Sequence, residues 1–138
     1  MGCIEILVVD QNPNSAMLVE EFFRQRYAAR VTLTRDGEEA LNAFEPEYMP
    51  DLIVLDLDHP SKLAEQQSLV RIRRKIGAKV PIVVMSSSQD PEDVSEAYAD
   101  GANAYMIRPS KGEALRAVLQ VLARLWIEPL RRTLEASR

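Results

Sequence analysis

The sequence predicts an α/β domain, a doubly wound parallel sheet of five strands with helices on both faces. Two observations carry that expectation. Leu52–Leu55 and Pro81–Met85 have no polar face yet are too short for helices, as strands are when helices cover both sides of their sheet. Apolar runs also alternate with segments of helical period, about one strand to every ~20–25 residues, which is the rhythm of βαβ units. Right-handed crossovers wind such units doubly, and 2-1-3-4-5 is a common strand order for the result.

Ile4–Val9 is the first strand, and it ends in a carboxylate, Asp10. Gln11-Asn12-Pro13-Asn14-Ser15 then supplies capping side chains and a proline suited to a helix start. Leu18 with Phe22, and Val19 with Phe23 and Tyr27, recur at helical spacing, so a helix is expected from about Asn14 to Tyr27. Arg30–Thr34 alternates polar with apolar, as an edge strand does; Asp36-Gly37 ends it. Ala40, Leu41 and Phe44 mark a short second helix that stops before Pro46, and the third strand, Leu52–Leu55, runs into Asp56.

From Ser61 to Gly77, Leu69, Ile72 and Ile76 share one face while Arg71, Arg73, Arg74 and Lys75 form a solvated opposite face; Gly77 stops this third helix. Pro81–Met85 leads into Ser86-Ser87-Ser88. Asp90-Pro91 opens a fourth helix, with Val94, Ala97 and Tyr98 facing inward up to Gly101. Ala104–Ile107 is the fifth strand, followed by Arg108-Pro109. The last helix starts near Lys111 with Leu115, Val118, Leu119, Leu122 and Leu125 on one face, and Pro129 must bend or restart it. The expected division is a domain over 1–125 and a helical extension over 126–138.

Composition narrows the function. A chain of 138 residues holds one core, and a net charge of -4 gives no electrostatic footprint for nucleic acid. The one cysteine, Cys3, cannot form an internal disulfide and has no metal cluster around it, which points to a reducing compartment, the cytoplasm. No apolar run approaches the ~18 residues that a membrane span needs, and the first residues lack a signal-peptide pattern. Neither nucleic acid nor a membrane is an expected partner.

Four strands deliver polar residues to one rim: Asp10, Asp56, Ser86 and Arg108. Ligands of open α/β sheets bind beyond the carboxyl ends of the strands, and in the order 2-1-3-4-5 the first and third strands flank the switch point, where Asp10 and Asp56 would face each other. Paired carboxylates suit a hard cation such as Mg²⁺. An aspartate can also be a nucleophile that takes up a phosphoryl group. A hydroxyl and a guanidinium would then hold the phosphoryl oxygens.

The carrying pieces stand in order: Ile6-Leu7-Val8-Val9-Asp10, Asp36-Gly37-Glu38-Glu39-Ala40-Leu41, Pro50-Asp51-Leu52-Ile53-Val54-Leu55-Asp56 with Pro60, Pro81-Ile82-Val83-Val84-Met85-Ser86, and Gly101-Ala102-Asn103-Ala104-Tyr105-Met106-Ile107-Arg108-Pro109. Together they make the chain resemble the flavodoxin-like receiver domain of two-component response regulators. The resemblance implies that Asp56 is the phosphoacceptor for a sensor histidine kinase, with Mg²⁺ as cofactor. It also implies that the Asp58 backbone carbonyl helps hold the metal, that Ser86 is the switch hydroxyl and Tyr105 the switch aromatic. Output would pass to a downstream protein through the face around helix four, strand five and helix five, by association and not by turnover of a substrate.

The departures bear on the acid pocket. The second acid usual after strand one is Gln11, whose neutral amide ligates weakly; losing a full charge ~4 Å away lowers Mg²⁺ affinity by roughly one to three decades. The usual lysine is Arg108, a wider planar fork in place of a point charge, and it also suits a closed, metal-free pocket through ion pairs with Asp10 or Asp56. Ser61 to Gln67 lacks the usual Asp-Gly turn, so the loop beside Asp56 should differ in shape, and His59 is expected to be an exposed loop residue. The rivals are therefore a pseudo-receiver that works without phosphate and, from Asp56-Leu57-Asp58, a phosphatase resembling the haloacid-dehalogenase group. Leu125, Trp126, Ile127, Leu130 and Leu134 extend apolar character past a minimal domain, as in the small phytochrome-associated receivers that this end resembles, and favour a homodimer through strand five, helices four and five and the Trp126 tail.

Overall fold

Five parallel strands, β1 (Glu5–Val9), β2 (Arg30–Thr34), β3 (Leu52–Asp56), β4 (Ile82–Ser86) and β5 (Ala104–Ile107), form one sheet in the order β2-β1-β3-β4-β5. The structure, a computed structural model, describes residues 3–58 and 62–136, with backbone alone over 62–66 and at 135. Strand side chains alternate between faces. Ile6, Val8, Leu52, Val54, Val83 and Met85 enter a core with α1 (Pro13–Tyr27) and α5 (Gly112–Leu122). Leu7, Val9, Ile53, Leu55, Ile82 and Val84 enter the opposite core with α2 (Gly37–Ala43), α3 (Lys62–Ile76) and α4 (Pro91–Ala99). This is why the central strands have no polar face: both faces are interior, and each large aliphatic side chain so buried contributes about 1.5–3 kcal/mol.

Several boundaries move for local reasons. α1 starts at Pro13 because the Asn12 side chain caps it, accepting from the N–H groups of Asn14 (3.0 Å) and Ser15 (3.3 Å). α2 starts at Gly37 because Asp36, expected only to end a strand, accepts from the Glu39 N–H at 2.9 Å. The reading of His59 as a loop residue and the expected start of the third helix at Ser61 lie outside the described residues; the backbone is helical from Lys62.

Two expectations are corrected. Arg73 is not part of a solvated face: its guanidinium donates to the carbonyls of Gly77, Val80 and Gly101 and to the Asn103 side chain. Tyr98 and Leu125, expected to face inward, are 48% and 61% exposed. Trp126 is partly buried: together with Leu130 and Leu134 it packs against the α1–α5 core, and the Tyr27 hydroxyl donates to Glu128 Oε2 at 3.1 Å beside it.

Pro129 does interrupt the last helix, and it does so through the turn in front of it. Proline lacks the N–H that would pair with the carbonyl four residues back, and its ring crowds that carbonyl. Ala123–Ile127 accordingly widens into a π-helical turn, with the Glu128 N–H donating to the Ala123 carbonyl, and α6 (Glu128–Ala136) follows.

Candidate functional site

Parallel strands in this order bring the carboxyl ends of β1 and β3 side by side, with Val9 registered on Leu55, so Asp10 and Asp56 emerge next to each other. The charge between them is Arg108, delivered by β5. Its Nη2 lies 3.2 Å from Asp10 Oδ2 and 3.4 Å from Asp56 Oδ2. Nη1 donates to the Ser15 hydroxyl at the start of α1. The Asp10 and Asp56 side chains are 1% and 7% exposed, and that of Arg108 13%. These are buried charges, tolerable because they are paired.

The remaining carboxylate oxygens are also occupied. Asp10 Oδ1 accepts from the Asn12 N–H at 2.9 Å and Asp56 Oδ1 from the Asp58 N–H at 2.8 Å. Burial raises the Asp56 carboxyl from its ordinary 3.8 to about 7; Arg108 pulls it down, and the adjacent Asp10 adds to the rise. Between 3.8 and about 7 the folded chain keeps a proton on Asp56 that the unfolded chain has released, so stability present in acid is lost as pH rises through about 7. The expected outcome in metal-free buffer is a lower Tm at about pH 8 than at about pH 5, with most of that difference absent in Asp56→Asn, which cannot ionise.

β4 brings the hydroxyls. Asp58, expected to contribute its backbone carbonyl, also directs its carboxylate at this end of β4, where it accepts from the Ser86 hydroxyl at 3.1 Å and the Ser87 N–H at 2.8 Å. Tyr105 is half-buried, and its hydroxyl donates to the Ser88 carbonyl at 2.9 Å, tying β5 to the segment after β4. The Asp58 side chain and the hydroxyls of Ser15 and Ser87 were not foreseen as parts of the site. The signal for Ser15 was available: a hydroxyl in the first turn after the switch-point strand sits over the carboxyl rim.

Do these residues fit a divalent cation? Buried carboxylates and the amide oxygen of Gln11 are hard donors of the kind Mg²⁺ takes. Gln11, Asp56 and Asp58 line one cavity of about 280 Å³, room for an ion that keeps its waters. Among the described residues, however, no group of three or more His, Cys, Asp or Glu side chains is disposed to hold a metal. Arg108 supplies the positive charge instead. The donor set fits the ion in kind, with the guanidinium as the charge to be displaced. Of the first acids after β4, Asp90 caps α4 through the Glu92 N–H and Asp93 accepts from Ser88 Oγ at 2.6 Å.

Comparison with known proteins gives one answer. Residues 6–120 match the family model described as the response regulator receiver domain. The chain is 28% identical to the probable methanogenesis regulatory protein FilR2 of Methanothrix harundinacea, covering 90% of this chain and 83% of that one. It is 27% identical to the response regulator Rcp1 of Synechocystis, covering 89% and 88%; the Mn²⁺-bound structure of Rcp1 superposes with a TM-score of 0.78, covering 91% of this chain and 95% of that one. The phosphorylated cyanobacterial phytochrome response regulator RcpA, 24% identical over the same shares, shares the fold at a TM-score of 0.80. Other relatives are longer, and the chain spans half of them or less.

Proposed function

The chain belongs to the response regulator receiver domain family, and from that premise we propose that Asp56 accepts a phosphoryl group from a sensor histidine kinase and that the chain signals by binding a downstream protein. The observation that carries this is the meeting of Asp10, Asp56 and Arg108 at the β1–β3 switch point, with Ser86 at the end of the neighbouring β4. In the transfer an ionised Asp56 oxygen attacks phosphorus and the bond to the donor nitrogen or oxygen breaks, its electron pair leaving with the donor. The Arg108 fork and the Ser86 hydroxyl donate to the phosphoryl oxygens. A divalent cation, when bound, neutralises phosphoryl charge and favours the ionised carboxylate; Asp10, Asp56, the Gln11 side chain and the Asp58 carbonyl would hold it.

The supporting test is incubation with a small acyl phosphate and Mg²⁺ followed by intact mass. One phosphoryl group is expected on the native chain and none on Asp56→Asn; equal labelling of both would overturn the assignment. One observation favours a second reading. Arg108 already neutralises both acids, so a native chain that stays unlabelled at millimolar metal would be a pseudo-receiver, an interaction module independent of phosphate.

In this reading 1–125 is the receiver and 126–138 an extension, whose Trp126, Leu130 and Leu134 lie on the α1–α5 core. Its place is the cytoplasm; among the described residues no helix is long and apolar enough to cross a membrane. A homodimer through α4, β5, α5 and the Trp126 tail is supported by the exposed Tyr98, Ile107 and Val121, with Leu125 beyond α5.

A further inference from the structure

Asp58 stands two residues beyond β3, yet its side chain is directed at the end of β4. Oδ1 accepts from the Ser86 hydroxyl (3.1 Å), the Ser87 N–H (2.8 Å) and the Ser87 hydroxyl (3.0 Å), and Oδ2 accepts from the same Ser87 N–H at 3.0 Å. Oδ2 also lies 3.7 Å from Nε of Arg108, a buried donor with no hydrogen-bond partner among the described residues. Two hydroxyls, a backbone N–H and one edge of a guanidinium converging on two oxygens is the setting of a bound oxyanion. A carboxylate in water has no need of it.

Two of those donors, Ser86 and Arg108, are the groups assigned above to the phosphoryl oxygens. Resting on that assignment, we propose that the Asp58 carboxylate is an internal stand-in for the phosphoryl group, taking up the Ser86 hydroxyl and lying against the Arg108 guanidinium while Asp56 is unmodified. The stand-in sets the segment after β4. Ser88 donates its N–H to the Ser86 hydroxyl at 3.1 Å and holds the Tyr105 hydroxyl through its carbonyl at 2.9 Å. The Tyr105 N–H in turn donates to the hydroxyl of the exposed Tyr98 at 3.2 Å. A chain of hydrogen bonds thus runs from Asp58 to the α4–β5 surface without phosphate. Phosphorylation must first move Asp58 off its donors, so the same carboxylate slows the transfer.

Asp58→Asn keeps the shape and loses the charge, and Asp58→Ala removes the acceptor; a surface loop position tolerates both. The Ser87 amide reports directly. By NMR it is expected to be protected from solvent exchange in the unmodified native chain, to exchange about tenfold faster or more in both variants, and to regain protection when beryllium trifluoride with Mg²⁺ supplies a phosphoryl analogue. Both variants are expected to label with a small acyl phosphate about tenfold faster than the native chain. Equal Ser87 exchange in all three proteins, or equal labelling rates, would overturn the proposal. Failure of all three to take phosphate or the fluoride would instead overturn Asp56 as acceptor, with the Ser87 comparison still deciding whether Asp58 holds the segment.

Discussion

Arg108→Met is expected to cost about 3–5 kcal/mol of stability in metal-free buffer near pH 8, and Mg²⁺ is expected to restore most of the loss. Methionine fills similar space without charge, so the variant isolates what the guanidinium does. In its absence the Asp10 and Asp56 carboxylates stay buried beside each other with no counter-charge, which is the costly way to break a buried ion pair. Since a domain has only about 5–15 kcal/mol in total, urea unfolding will show the change clearly. At about pH 5 the loss should be smaller, because Asp56 can hold a proton there and relieve the repulsion. Any ligand that binds only the folded chain stabilises it in proportion to its excess over Kd, so restoration by Mg²⁺ measures binding at the vacated position. A variant that is equally unstable with and without the metal would place the ion elsewhere.

Arg73→Met is expected to cost about 2–4 kcal/mol, independent of pH and metal, for a different reason. Arg73 joins the end of α3 to the turn before β5. Nε and Nη2 donate to the Gly101 carbonyl at 2.9 and 2.7 Å, and Nη1 donates to the carbonyls of Gly77 and Val80 at 2.9 and 2.7 Å. Nη2 also donates at 2.6 Å to Asn103 Oδ1, which accepts the Ile82 N–H at 2.8 Å. Truncation leaves several partly buried carbonyls without a donor. The turn is built around this side chain: Gly101 has φ +117, and a Cβ there would stand 2.7 Å from Arg73 Cγ. Arg74→Met is the control, expected within about 0.5 kcal/mol of the native chain in chemical denaturation.

Arg73 also shows where reading residues in order stops. Hydrophobic period and run length made the five strands legible, because an apolar run of four or five residues has one physical explanation when it is buried on both faces. The same logic brought Asp10, Asp56, Ser86 and Arg108 to one rim, since position at a strand end is a matter of local sequence plus topology. Arg73 sits among Arg71, Arg74 and Lys75, and spacing cannot tell a solvated cation from one folded onto a distant turn. The packing of Trp126, Leu130 and Leu134 against the α1–α5 core is likewise a matter of three-dimensional contact that helical spacing alone does not show. The Asp58 carboxylate, pointing at serines 28 and 29 positions away, left no local trace at all.

The whole account depends on Asp56 and Asp10 forming one cation-accepting hollow that Arg108 fills by default. Isothermal titration of Mg²⁺ into the native chain, Arg108→Met and Asp56→Asn addresses this most directly. Weak binding to the native chain, binding at least about tenfold tighter to Arg108→Met and none to Asp56→Asn is the predicted result. Identical isotherms for all three proteins would contradict it.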